Sequence, residues 1–592
     1  MNRMRILLVV AVVTVSSVVG LNAQQKDTAW AVSQAPADSL FVVGSRNFGS
    51  LWTNLKQWSG QGDKIPNFPA MMEMQMPQGI DLTGPVAIMM LSSGERTSIV
   101  VMSQMKPGAA ISGDKVDGGI TKVVSSFGTT SYALQMAPWV AMSDNQASLQ
   151  AMSAAKTRLV VTAQQKNDIN GRSVWAWVNT KALTAKLKAS IPQDLQQTDV
   201  SPAEPNHAAL ANSAISLLNQ VSSLTAALDV KPEAAALTVG LEYAPNSQLA
   251  LLASAGLPIA SYKAGLPATD QLLVAGWGRT DWVKMVAPTK AIIMPFMDTL
   301  IPASNADARK SLDAMWVIYA ELAATLGNEA AFVMKPAPIG EGVYHLAETF
   351  AVKNPDAFRK TMAKAMPMSE ELTKAISNLG PAGSATPQMD MKVDYKPSAE
   401  TIDGVAVDVI STKITPAMSP DEQEAAQKMV ESMYGPEGMT MRMAVVGRTA
   451  VVSMGGKNVM GGALKAAKGQ TPDLAGNPKV AAALARVSKS ATFAGVASLP
   501  AYAYFTINMV QRMVAGAGNP TPSIQEPAMG DLVTFSLRMQ GNTQYFDLNV
   551  PQSEVLGVVG ILEQMNAGSG RTRPSGGRGP VQGAPAPVPE DE

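Results

Sequence analysis

Two stretches of this chain open alike, more than two hundred residues apart. Asp38–Leu55 reads DSLFVVGSRNFGSLWTNL, and Gln271–Val286 reads QLLVAGWGRTDWVKMV. Each is an apolar strand, a polar corner and an apolar-periodic helix, and each follows a Pro-Ala step, Pro36-Ala37 or Pro267-Ala268. What comes next also runs in parallel. A strand over Gly84–Leu91 with a partner over Thr97–Ser103 matches one over Glu329–Pro336 with a partner over Val343–Val352. A hairpin running into a helix spans Ser131–Met152 in one stretch and Met441–Ala467 in the other. Strand-to-helix units begin at Ser173 and Ala491, and alternating hairpins close each series, Ala236–Ala253 and Leu532–Val550. A repeat this long means two large units rather than a solenoid of short ones.

Hairpins outnumber strand–helix alternations, so the expected class is α+β: two related halves, each a mainly antiparallel sheet with helices packed on one face. The boundaries are 1–23 for a signal peptide, 24–260 for the first half, 264–565 for the second, and 566–592 for a disordered Gly/Pro-rich tail. A long helix is expected over Ala303–Gly327, where Leu312, Met315, Trp316, Tyr319 and Leu322 share one side. Another is expected from Ala208 through the Leu-rich run to Leu228.

The N-terminus points to export. Arg3 and Arg5 precede the apolar run Ile6–Val13, and Ala23 supplies the small residue at a cleavage step. The expected location is periplasmic or extracellular, with an uncleaved anchor as the alternative. The tail has almost no large apolar side chains and cannot offset the entropy of ordering.

Composition removes several chemistries. There is no cysteine, so disulfides, thiolate metal sites and cysteine nucleophiles are excluded. With only His207 and His345, a multi-histidine site within one chain is impossible. Lys+Arg and Asp+Glu both number 47, which gives no net field to attract nucleic acid. No later run is long enough to span a membrane after signal cleavage.

Short motifs mark the corners of the first half, Pro36-Ala37-Asp38, Gly79-Ile80-Asp81-Leu82-Thr83-Gly84-Pro85 and Met142-Ser143-Asp144; the second half departs from them, with Thr269 in the place of Asp38 and no second Gly-Ile-Asp-Leu. In these the chain resembles a family of exported bacterial proteins of unknown function built from duplicated strand–helix modules. The resemblance implies a fold and no activity.

Candidate chemistry is thin. Met71, Met72, Met74 and Met76 form a thioether cluster that could take Cu(I), but methionine occurs 36 times, and flexible apolar filling explains it better. His345 and Glu348 fall on opposite faces of a strand, and both histidines read as surface or capping residues. Asp390 and Asp394 share a strand face about 13 Å apart, too far for one retaining glycosidase site. Trp175 and Trp177 could form a sugar-stacking platform; their apolar neighbours favour a core strand. No catalytic, metal or cofactor residues are assigned. The expected function is a non-enzymatic envelope scaffold or binding body for an apolar, lipid-like small molecule or another envelope protein. The alternative is a carboxylate-dependent hydrolase acting on envelope polymers; adhesion through an exposed sheet edge is a weaker third reading.

Overall fold

The computed structural model describes residues 28–60, 62, 66, 79–93, 96–124, 128, 130–190, 207–301, 306–338, 340–377, 389–416, 424, 427, 430, 431, 433–515 and 525–568. The segment read as a signal peptide, the methionine patch at 71–76 and the residues from 569 on lie outside them.

The first ten strands are β1 (Phe41–Ser45), β2 (Ile80–Ser93), β3 (Arg96–Met105), β4 (Asp114–Val116), β5 (Ile120–Val124), β6 (Thr130–Met136), β7 (Trp139–Ser143), β8 (Val174–Val178), β9 (Val221–Val230) and β10 (Ala234–Tyr243). The second ten are β11 (Val274–Arg279), β12 (Leu326–Pro336), β13 (Tyr344–Val352), β14 (Met389–Ile402), β15 (Val405–Pro416), β16 (Met439–Val446), β17 (Thr449–Met454), β18 (Ala491–Ala497), β19 (Val533–Gln540) and β20 (Thr543–Pro551).

These strands form one continuous 20-stranded sheet, and every neighbouring pair is antiparallel. Its order is β4-β5-β6-β7-β3-β2-β1-β8-β9-β10-β20-β19-β18-β11-β12-β13-β17-β16-β15-β14. The expectation of a separate sheet in each half is therefore corrected. β10 and β20 would each present an unpaired edge, and they satisfy each other from Ala234↔Pro551 to Glu242↔Thr543. The strands on either side of that pair are called the first and second arm below.

The same backbone bonds recur in both arms. Leu40 N donates to Met90 O and Asn179 N to Leu40 O; Leu273 N donates to Met334 O and Ser498 N to Leu273 O. Pro36 bridges to Arg158, and Pro267 to Asp473.

Helices cover both sheet faces, which corrects the one-face expectation. Successive strand residues point to opposite sides. Val42 packs with Val32, Leu149, Met152 and Ile169, from the helices Thr28–Ser33, Gln146–Ala154 and Ala163–Gly171. Its neighbour Val43 packs with Phe48 and Leu51 of the helix Phe48–Ser59. In the second arm Val451 meets Met460 and Leu464 of Lys457–Ala467, while Ala450 meets Phe358 of Pro355–Ser377. Trp175 and Trp177 are buried in the core, as their neighbours suggested.

The helix Ala306–Thr325 lies inside its expected span. The helix expected from Ala208 to Leu228 instead runs His207–Leu218, and the rest is β9. Val221–Val230 fits either periodicity locally; ladders to β8 and β10 on both sides decide for strand. The hairpin expected over Ala236–Ala253 is β10 followed by the helix Gln248–Ser254, which Ser247 caps by accepting from Ala250 N. The corner motifs are turn chemistry. Asp81 Oδ1 accepts from Thr83 N and Gly84 N where β2 shifts register, and Ser143 Oγ donates to Ile99 O as β7 ends.

Candidate functional site

A groove of about 630 Å³ opens in the first arm. One wall is the helix Gln146–Ala154, with Ala151 and the following Ala155; the other is the helix Thr180–Ser190, with Ala182 and Ala185. Leu91, at the end of β2, lies between them. The rim is held by side chain and backbone together. Asn179 Oδ1 accepts from Ala182 N to start one helix, and its Nδ2 donates to Ala37 O. Ala37 N donates to Thr157 O and Leu159 N to Ala35 O, which fixes the Pro36–Asp38 segment. Small alanines leave the trough open, and among the described residues Asp38 and Lys181 are the only charged side chains in its walls.

The corresponding place in the second arm is polar. Lys335 stands after Met334 as Leu91 stands after Met90. Its cross-strand partner is His345, where Leu91 has Ser98. Arg442 pairs across β16–β17 with Ser453, as Tyr132 does across β6–β7 with Ser143. Arg442 is only 2% exposed, and all three of its guanidinium nitrogens donate. Nε donates to Glu400 Oε2 at 2.9 Å, Nη2 to Glu400 Oε1 at 3.3 Å and Glu437 Oε2 at 2.7 Å, and Nη1 to Gly455 O at 2.8 Å. Lys457 Nζ adds a second cation 3.2 Å from Glu400 Oε1. The Arg442 hydrogen bond holds the Glu400 carboxyl below its usual range, against the opposing effect of burial. Burial works against the Arg442 charge too, but its bonds to Glu400 and Glu437 outweigh that and raise its pKa.

His345 sits beside this network at 3% exposure. Burial and the Lys335 charge lower its pKa, while Glu341 pulls the other way. Glu341 Oε2 is 3.3 Å from its Nε2 and accepts from Asn458 Nδ2 at 3.4 Å. Gly455, at φ +127°, makes room: a Cβ there would lie 2.8 Å from His345 Cδ2. Two cavities flank the corner, about 70 Å³ on the Lys335 side and about 190 Å³ beside Glu341 and Glu437.

The surface or capping reading of His345 is thus corrected; its ring is buried because Gly455 lets the chain pass close. Glu348 lies on the opposite face, as the odd spacing requires, and burial raises its pKa. His207 begins a helix, but its side chain lies outside the described residues, as does that of Asp390. Asp394 pairs with Lys396 at 2.9 Å. The Arg442–Glu400 pair was missed because its partners are 42 residues apart and nothing local marks an arginine in MRMAVV as buried. Among the described residues no group of three or more His, Asp or Glu could hold a metal ion, and no helix is long and apolar enough to cross a membrane. No family model, curated protein or solved structure matches the chain.

Proposed function

We propose that the chain is an exported, non-enzymatic binding body of the cell envelope, whose first-arm groove takes an apolar, lipid-like small molecule. The observation that carries this is the alanine-walled trough of about 630 Å³ around Leu91, with Asp38 and Lys181 as the charged groups among its described lining residues. Its test is native mass spectrometry of protein purified gently from its own envelope. A bound amphiphile is expected in the wild type and should be lost when Ala151→Trp or Ala182→Trp fills the trough. An empty wild-type protein, or a ligand retained by both variants, would rule the groove out.

The two arms are best read as copies of one ten-strand module. Carrying the register outward from Asn179 and Ser498 makes Thr238 the counterpart of Asp547. These two pair with each other in the β10–β20 ladder, and Thr238 Oγ1 donates to Asp547 Oδ1 at 2.8 Å. A residue facing its own counterpart is what an isologous two-fold contact produces.

The rival, a hydrolase using carboxylates on envelope polymers, has one point of support: Asp270 and Glu526 line the same cavity beside Tyr504. That cavity holds only about 10 Å³, too little for a polymer strand.

A further inference from the structure

We propose that the small cavity where the helix Lys457–Ala467 begins is a phosphate-binding site, taking a phosphate group that is either free or carried on a lipid headgroup. The cavity, about 70 Å³, is lined by Thr269, Lys335, His345, Asn458, Val459 and Gly462 among others, with no carboxylate among the described residues of its walls. The helix is 11 residues long, and its N-cap, Gly456, has no side chain; in the first turn Val459 N donates to Asn458 Oδ1 at 3.0 Å, while the N–H groups of Lys457 and Asn458 have no side-chain cap. Such a terminus favours an anion through its exposed donors and its dipole.

The second, independent observation is His345. Its ring is 97% buried by its 3% exposure, yet Nε2 has no hydrogen-bond partner. Glu341 Oε2 is within 3.3 Å but off the hydrogen-bonding direction. A buried imidazole nitrogen without a partner is costly unless something else engages it. Lys335 stands directly across the strand pair from His345. The remaining charged groups around the ring are accounted for. Lys457 and Arg442 are both engaged with Glu400, and Arg442 also with Glu437. Glu341 is 42% exposed, and among the described residues its carboxylate is held only by Asn458 Nδ2 at 3.4 Å and the His345 ring, so a bound anion would have to displace it toward solvent.

A bound phosphate would accept from Lys335 Nζ, from His345 Nε2 and from the N–H groups of Lys457 and Asn458, since Val459 N already donates to Gly456 O and Asn458 Oδ1. His345 would take up a proton on binding, so affinity rises as pH falls from 8 until the phosphate's own second pKa, about 6 to 7, is reached. The first arm lacks this constellation: Leu91 and Ser98 hold the matching strand positions, Ser98 is bonded to Ser148, and Asn145 already caps the helix. The inference is independent of the apolar-groove reading, since it concerns the other arm.

The test is titration of inorganic phosphate into the full chain, followed by NMR of the imidazole resonances and by calorimetry. Two histidines make the assignment simple, with His345→Ser removing one signal. A saturable shift of the His345 resonances is expected. Lys335→Ala should weaken binding about tenfold, the loss of one charge-assisted contact. Glu341→Gln, at a half-exposed position where folding is not at stake, should tighten it by removing a competing anion. Glycerol phosphate binding more tightly than inorganic phosphate would assign the site to a headgroup; equal affinity would assign it to the free ion. No saturable shift at tens of millimolar phosphate, or weaker binding in Glu341→Gln, would overturn the proposal.

Discussion

At matching strand positions the first arm carries Leu91, Ser98 and Tyr132, and the second carries Lys335, His345 and Arg442. On the outermost strands the contrast continues. Val116 and Tyr132 both pack against one apolar cluster, whereas Glu400 meets Arg442. The backbone route is the same, so the sheet does not require charge at these positions. A buried ion pair is seldom more stabilising than a well-packed apolar one, but breaking it from one side is expensive. The second arm therefore holds a polar corner that the fold tolerates rather than needs, and that is the reason to look for function there.

The largest effect should come from breaking that corner asymmetrically. Arg442→Met leaves Glu400 and Glu437 without their main partner and should cost about 3–5 kcal/mol. The double change Arg442→Tyr with Glu400→Val, which imports the residues of the first arm, should cost much less. Chemical denaturation of both variants decides it. If the double change is as damaging as the single one, the two corners are not interchangeable and the comparison is wrong.

A second difference lies where β20 runs into the helix Gln552–Gly568. Glu554, 1% exposed, accepts from Leu499 N at 2.6 Å; the matching stretch in the first arm, Ala244–Ser247, has no acid. Burial, opposed by the Leu499 hydrogen bond, raises the Glu554 pKa to about 7. A raised folded pKa favours folding fully below the unfolded value, and that stability is lost as pH rises through about 7. Glu554→Gln should thus stabilise the protein at pH 8 by up to about 3 kcal/mol and by little at pH 4. Thermal melts across that range measure it; an equal gain at both pH values would remove Glu554 as the cause.

His345 has the opposite sign. Its folded pKa is lowered, so its contribution is intact above the unfolded value and is lost as pH falls below it. His345→Ser, the Ser98 counterpart, should cost about 1–2 kcal/mol at pH 8 through lost packing, and less at pH 5. The difference between the two melting curves isolates this residue from the other acids; a difference that does not change with pH contradicts a lowered pKa.

Much of the fold was legible because hairpins advertise themselves locally. Met441–Met454 alternates around Gly447, and Leu532–Val550 around Gly541, and both are strand pairs in the structure. What could not be read was settled by distant partners. Val221–Val230 became strand because β8 and β10 hold it from both sides, and the two expected sheets became one through the β10–β20 ladder. The polar corner was illegible for the same reason. Lys335, His345, Glu400 and Arg442 come from four strands, and only the ladder order brings them together. Ser247 did carry a local signal, a cap before helix-forming Gln248–Ala253, that the strand reading overlooked.

The smallest predicted effect tests the two helix starts beside these corners. Asn145 caps Gln146–Ala154 through Oδ1 accepting from Ala147 N, while Gly456 begins Lys457–Ala467 with no side-chain cap. Asn145→Ala should cost about 1 kcal/mol. Gly456→Asn should return a fraction of that, because its backbone, at φ −66° and ψ 173°, already suits a capping residue. The gain is limited because a Cβ there would lie 2.8 Å from Asn458 Oδ1, which must turn aside. The same change occupies the donors that a bound phosphate would use, so it should raise the denaturation midpoint and lower phosphate affinity together. A variant that gains stability yet binds phosphate unchanged would show that the helix start takes no part in the site.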